Sequence, residues 1–223
     1  MSLVSVFRTL PELLGETELC QAFFQSYAEV FNAEWGENWS VDQVRNKYED
    51  FARTDGAACR VSLVLNSDQI SILAGFCVTV SEKLQITLQA RDLPPKLNSE
   101  SDLRAVLNAF QEFGLSNETQ VLLFREIAII PQFRRGVAIF QMLPTPHLQH
   151  AEQQHIDDYW FWTAEHSNMA VLARGLEMRK VYQYNDDKRH AVYVGDVKKM
   201  LTASRLGLNE LTSAIKKGLR PRE

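Results

Sequence analysis

The sequence predicts an α/β (α+β) domain: a mixed, mostly antiparallel central sheet flanked by helices. Three observations carry this expectation. Residues 60–80 and 179–194 are β-branched and aromatic runs folded about the polar turns Asn66-Ser-Asp-Gln69 and Asn185-Asp-Asp-Lys188, the pattern of two hairpins. Residues 17–32 and 40–51 repeat apolar side chains at helical spacing. Between the hairpins, Val121-Leu-Leu-Phe-Arg-Glu-Ile-Ala-Ile-Ile130 is stopped by Pro131 and followed by a basic turn and Gly136, which reads as a buried strand, a tight turn and a helix start.

Size and charge narrow the function classes. A chain of 223 residues with 45% hydrophobic content is ordinary for a globular protein with its own core, and nothing in it demands two domains. The balance of 24 Lys and Arg against 28 Asp and Glu gives a formal charge of −4, which argues against nucleic-acid binding by phosphate neutralisation and suits a cationic or small-molecule partner. Cys20, Cys59 and Cys77 are widely spaced, without ligand spacing, and read as buried thiols in a reducing cytoplasm. The first residues hold too short an apolar run for a signal peptide, and charges interrupt every hydrophobic stretch before membrane-spanning length. The expectation is therefore a cytoplasmic protein without a membrane segment.

Taken in order, residues 17–32 form a helix with Leu19, Phe23, Tyr27, Val30 and Phe31 on one stripe, and Ser40 caps a second with Val44, Tyr48 and Phe51 apolar. Residues 31–39 between them read as an aromatic, acidic loop. In the first hairpin, Gly75 within a strand suggests a bulge or a close backbone approach. Residues 84–88 read as an extension of that sheet, residues 91–102 as a loop, and residues 103–113 as a short helix ending at Gly114. After the central strand, Leu143-Pro-Thr-Pro146 should stop or kink the helix near Met142, since an internal proline costs about 3 kcal/mol. His147, His150 and His155 lack supporting ligands and read as solvent-exposed or capping residues, so no metal site is expected. Asp158-Tyr-Trp-Phe-Trp-Thr-Ala164 is a strand, Ser167 or Asn168 caps a helix to Leu176, and residues 196–217 form a C-terminal helix.

The turn after the central strand is where chemistry is expected. A helix starting at Gly136 leaves backbone N–H groups unpaired at its positive end, and Arg134 and Arg135 beside it suit a phosphate. A basic strand–turn–helix corner without a ligand is the plainer reading of the same residues. Ile127-Ala-Ile-Ile-Pro131 followed by Arg134-Arg-Gly-Val-Ala138 resembles the acyl-CoA-binding motif of the GNAT superfamily of N-acetyltransferases.

That resemblance covers residues 61–194. It implies one GNAT-like domain with a core of about 17–195, an insertion at about 84–114 before the central strand, and a helical tail at 196–223. It implies acetyl-CoA as acyl donor, with Ile127, Ala128 and Ile129 holding the pantetheine arm and Arg134, Arg135, Gly136, Val137 and Ala138 holding the pyrophosphate. Glu165-His-Ser-Asn168 resembles the family's second cofactor element, in which Asn168 hydrogen-bonds the pantetheine arm. The chain departs from the pattern at Phe133, where arginine or glutamine is usual, at the proline-broken helix, and at Arg174 or Gly175, where a tyrosine is usual.

The resemblance also places the first two helices and their loop beside the acceptor, so that Glu34, Trp35, Glu37 and Trp39 either recognise an amine or simply plug and solvate a helix corner. Alternation along the central strand makes Glu126 the candidate base, against a purely structural salt bridge with Arg125 or Arg134. The expected activity is acetyl transfer from acetyl-CoA directly to a primary amine of a small molecule or peptide, with the C-terminal helix serving either for packing or for a homodimer. Two alternatives stand: an autoinducer-synthase-like or N-acyl amino acid synthase-like acyltransferase with a longer donor, and a non-catalytic acyl-CoA-binding module.

Overall fold

The computed structural model describes residues 2–66, 69–88, 100–134, 137–184 and 189–205. In chain order the elements are β1 (Leu3–Thr9), α1 (Leu10–Gly15), α2 (Thr17–Trp35), α3 (Val41–Asp55), β2 (Cys59–Asn66), β3 (Gln69–Lys83), α4 (Leu84–Thr87), α5 (Glu100–Glu112), β4 (Gln120–Ile129), α6 (Val137–Met142), α7 (Thr145–Gln153), β5 (Asp158–Ala164), α8 (Asn168–Gly175), β6 (Arg179–Gln183), β7 (His190–Asp196) and α9 (Val197–Arg205). The strands follow the order β1-β2-β3-β4-β5-β7-β6. Every described register is antiparallel except that of β4 with β5, which is parallel over Val121, Leu122 and Leu123. The mixed, mostly antiparallel sheet expected from the two hairpins is present.

The chain divides into two compact units, one of residues 1–80 and 125–147, the other of residues 81–124 and 148–223. In the first, β1 pairs along β2 from Leu3 opposite Asn66 to Thr9 opposite Arg60. Thr9 and Glu12 form a reciprocal capping box that starts α1 directly after β1. Ser40 and Gln43 do the same for α3, as the sequence predicts for Ser40. The core is aromatic: Phe23 lies edge-on to Tyr48 and Phe76, with ring centroids 4.9 and 5.2 Å apart, and Tyr27 stacks on Phe31 and Phe76.

Gly75 fulfils both readings offered for it. The β2–β3 register slips between Val64 and Leu65, and a Cβ on Gly75 would lie 2.8 Å from the Ala128 carbonyl oxygen. Ile130 N–H then donates to the Ala74 carbonyl at 2.9 Å, closing the end of β4 against this bulge.

In the second unit, Trp160 is fully buried, donates its indole N–H to Thr87 at 3.1 Å and meets Phe110 edge-on. Gly195 lies where a Cβ would be 2.4 Å from the Tyr159 ring, so any side chain at this point of β7 would require the buried ring on β5 to shift.

Several sequence expectations need correction. Residues 84–88 do not extend the sheet; Leu84 N–H bonds to the Thr119 carbonyl and Thr87 hydroxyl to the Leu84 carbonyl, which turns the chain into α4. Helix α2 runs on to Trp35 and ends at Gly36 with φ +67°, so the acidic aromatic loop is only the remainder. Helix α5 starts at Glu100, inside the segment read as loop. His147 is buried, not solvent-exposed: it bonds Thr79 at 2.6 Å and Ser62 at 2.9 Å. The proline break does fall where expected, between α6 and α7. The turns at 67–68 and 185–188, the loop at 91–99 and the tail at 206–223 lie outside the described residues. Among the described residues no helix is long and apolar enough to cross a membrane.

Candidate functional site

Strand β4 carries the candidate base at the point where its apolar run is broken. Valine, leucine and phenylalanine fill residues 121–124, and Arg125-Glu126 then places two charges inside a strand that resumes with Ile127, Ala128 and Ile129. Glu126 is only 8% exposed, and burying a lone carboxylate is costly. Its partners come from the two long helices. The Lys47 ammonium of α3 donates to Glu126 Oε1 at 2.8 Å, the Tyr27 hydroxyl of α2 donates to the same oxygen at 3.0 Å, and the Tyr48 hydroxyl of α3 donates to Oε2. Lys47 also donates to the Tyr27 hydroxyl at 2.6 Å.

Lys47 is itself only 14% exposed and sits in a cage of rings. Its Nζ lies 4.7 Å from the Tyr27 ring centre, 5.1 Å from Trp39 and 5.6 Å from Tyr48, within cation–π range of all three. Trp39 is held there by its backbone, which exchanges two hydrogen bonds with the Asn32 side chain. The Arg125 guanidinium carbon lies over the Phe51 ring, 3.2 Å from its centre.

These charges set the protonation state. Burial alone pushes the Glu126 carboxyl up and is the largest single influence. The Lys47 and Arg125 cations, with hydrogen bonds from Lys47 and Tyr48, together outweigh it and hold the group below the ordinary carboxylate value. Burial and then the Glu126 charge push both tyrosine hydroxyls well above their usual range, so they act as donors. The arrangement is an ionised carboxylate under a lid of hydroxyls and an ammonium.

At the end of β4 the chain passes through Ile130 into a 3-10 turn at Pro131–Phe133 and then to Arg134. The Arg134 side chain folds back: its Nε donates to the Ile129 carbonyl at 2.8 Å and its Nη2 pairs with Glu34 at the end of α2. Arg135 and Gly136 lie outside the described residues. Val137 begins α6, and Ala138 in its first turn is exposed. Ile127 and Ile129 are half-buried and Ala128 is buried.

Asn168 belongs to the second unit. It is the exposed first residue of α8, while the cap is Ser167, whose hydroxyl accepts the Ala170 N–H at 3.1 Å and bonds Thr163 at 2.7 Å.

The structure thus brings Glu126, Ile127, Ala128, Ile129 and Arg134 onto one passage of chain in the first unit. Of the two arginines considered as salt-bridge partners of Glu126, Arg134 pairs with Glu34 instead, Arg125 is near enough for its charge to lower the Glu126 carboxyl, and Lys47 forms a salt bridge to it at 2.8 Å. Sequence reasoning missed Lys47, and placed Tyr27 and Tyr48 only in helical apolar stripes. The available signal was that two tyrosines on buried stripes each bring a hydroxyl that needs a polar partner. Among the described residues no group of three His, Cys, Asp or Glu could hold a metal ion.

No family model and no curated protein matches the sequence. Solved structures match the fold. NAA60 of Arabidopsis thaliana, in complex with a bisubstrate analogue, is 11% identical with a TM-score of 0.51, covering 86% of this chain and 98% of that one. An acetyltransferase of the GNAT family from Staphylococcus aureus Mu50 is 10% identical with a TM-score of 0.52, covering 88% and 99%. FeeM, an N-acyl amino acid synthase from uncultured soil microbes, is 13% identical with a TM-score of 0.53, covering 88% and 92%. These likenesses are likenesses of fold: the chain shares the fold of solved acetyltransferase structures, one of them of the GNAT family.

Proposed function

We propose that the protein is an acyl-CoA-dependent N-acyltransferase that moves an acetyl group from acetyl-CoA directly to a primary amine of a small molecule or peptide. The observation that carries the reading is the buried, ionised Glu126 on β4, immediately before Ile127, Ala128 and Ile129, in a chain with the GNAT fold. The neighbouring NAA60 structure with a bisubstrate analogue and the NatC complex bound to Gag peptide and CoA, the latter at a TM-score of 0.51 and 12% identity, support an acyl-CoA donor and a peptide-like acceptor.

Bound acetyl-CoA supplies the thioester carbonyl that the amine attacks. The backbone of Ile127, Ala128 and Ile129 would carry the pantetheine arm. Arg134, Arg135, Gly136, Val137 and Ala138 would face the pyrophosphate, with the small, exposed Ala138 leaving room at the first turn of α6. Arg134 is free to turn toward phosphate only by exchanging one anionic partner, Glu34, for another.

A free alkylamine has a pKa of about 10, and a carboxylate as acidic as Glu126 is a weak base towards its ammonium form. Glu126 therefore serves the later proton: as nitrogen bonds to the carbonyl carbon its N–H becomes acidic, and the ionised carboxylate with the Tyr27 hydroxyl receives it.

A longer acyl donor is the second reading, supported by the fold likeness to FeeM. Thermal melting separates the readings, since a ligand at about 100 times its dissociation constant adds roughly 2.7 kcal/mol. Stabilisation by acetyl-CoA, with thiol release across a panel of primary amines, is the expected result. A melting shift with long-chain donors alone selects the second reading. Binding without thiol release from any amine makes the chain a binding module, and no binding of either donor overturns both readings.

A further inference from the structure

We propose that Lys47 is an acyl acceptor within the protein itself, so that the chain self-acylates at Lys47 Nζ. The inference rests on the acyl-transfer reading above and on a juxtaposition which that reading does not use. Lys47 Nζ lies 2.8 Å from Glu126 Oε1, and Glu126 directly precedes the strand residues assigned to the donor. The three rings of Tyr27, Trp39 and Tyr48 hold this ammonium in place beside the carboxylate. A primary alkylamine fixed beside the candidate base has the chemistry of the proposed external acceptor. It also has the advantage of being bound already.

The step balances as ordinary aminolysis. The Lys47 ammonium gives one proton to water. The neutral Nζ bonds to the thioester carbonyl carbon, and the carbon–sulfur bond breaks with its electron pair leaving on the coenzyme A sulfur. The second proton, made acidic as nitrogen bonds to the carbonyl carbon, passes through the Glu126 carboxylate to that sulfur as the free thiol forms. The products are an uncharged amide at Lys47, coenzyme A and one proton. The product lysine no longer carries the positive charge that neutralises Glu126, so the carboxylate becomes available to an external ammonium.

Selectivity provides the test, because uncatalysed acetylation follows exposure. Lys47 is 14% exposed, against 42% for Lys83 and 69% for Lys198, and Lys180 and Lys199 are exposed too. The full chain is incubated with acetyl-CoA and no amine, thiol release is followed, and timed samples are denatured and digested with trypsin. The expected result is one thiol per chain, with the first acetyl group on the peptide of residues 46–53, uncut after Lys47. Heat-unfolded chain should lose the preference, Glu126→Gln should slow it, and Lys47→Arg should abolish the stoichiometric thiol release. Site mapping on the unsubstituted chain decides the matter even if Lys47→Arg does not fold. If acetyl-CoA raises the melting temperature but Lys47 lags the exposed lysines, the inference falls and the acyl-transfer reading stands. If acetyl-CoA neither stabilises the chain nor yields thiol with any amine, both fall.

Discussion

Glu126 is held by opposing influences, and each gives a measurable consequence. As proton acceptor it should be worth about 10²–10⁴ in turnover, so Glu126→Gln is expected to cut amine acetylation by that order while acetyl-CoA still shifts the melting temperature. Unchanged turnover would leave the residue with a structural role only. Its folded-state pKa lies below the unfolded value of about 4.3, so its contribution to stability is complete above about pH 5 and is lost as pH falls through the folded value. The stability gap between the native chain and Glu126→Gln should therefore narrow progressively as pH falls below about 5, read by denaturant unfolding at each pH; a gap independent of pH would contradict the assignment. Arg134 offers the converse case. Its partner Glu34 is 30% exposed, so the pair is worth about 0.5–1 kcal/mol after solvent screening. Glu34→Gln should release Arg134 and tighten coenzyme A binding roughly two- to fivefold by calorimetry, whereas weaker binding would mean that Glu34 serves the donor site in another way.

Two contacts fix the elements that carry these residues. At Gly75, β3 approaches β4 so closely that an added Cβ would meet the Ala128 oxygen at 2.8 Å and the Leu143 and Ile139 side chains at 3.0 and 3.3 Å. Two of these atoms belong to side chains, but the first is backbone. Gly75→Ala should therefore cost about 1–3 kcal/mol and lower the melting temperature by roughly 2–4 °C per kcal/mol, with a loss of coenzyme A affinity because Ala128 is displaced. An unaltered melting temperature would show that β4 yields freely there. Helix α7 is tied by His147. Ser62 donates to the Leu143 carbonyl at 2.7 Å, so the hydrogen-bond network makes His147 Nε2 the donor to Ser62 and Nδ1 the acceptor from Thr79. Nothing in the sequence distinguished this histidine from half-buried His150 and exposed His155, since Ser62 and Thr79 lie 85 and 68 residues away. Other elements were legible and passed over. Thr9-Leu-Pro-Glu12 is a capping box in plain view, and β1 before it was overlooked because seven residues at an edge show no clear alternation. Leu84-Gln-Ile-Thr87 has the composition of a strand, and only the hydrogen bond from Leu84 to Thr119 makes it a helix.

Across the whole molecule, the fold was readable because hairpins and the central corner announce themselves locally. The site was only half readable, because Lys47, Tyr27 and Tyr48 reach Glu126 across 79, 99 and 78 residues of chain. The thiols connect this local and long-range order to a single measurement. Cys20, Cys59 and Cys77 are all free, all buried and all in the first unit, the same unit as Glu126 and Lys47. Burial raises the Cys20 thiol to about 11 and the Cys59 thiol to about 12, and lifts Cys77 well above its ordinary value. At pH 8 each is thus protonated and inaccessible, and thiolate is the reactive form. A disulfide reagent should find no reactive thiol in the native chain, and all three once the first unit opens in denaturant. Trp160, buried in the second unit, is a separate reporter in the same titration. If acyl-CoA binds the first unit as proposed, saturating donor should slow thiol labelling by the factor 1 + [L]/Kd wherever labelling proceeds through opening of that unit. Labelling of Cys20, Cys59 or Cys77 at the rate of an exposed thiol, or labelling indifferent to a donor already shown to bind, would mean that the aromatic core around Glu126 is not the closed structure on which the proposed chemistry depends.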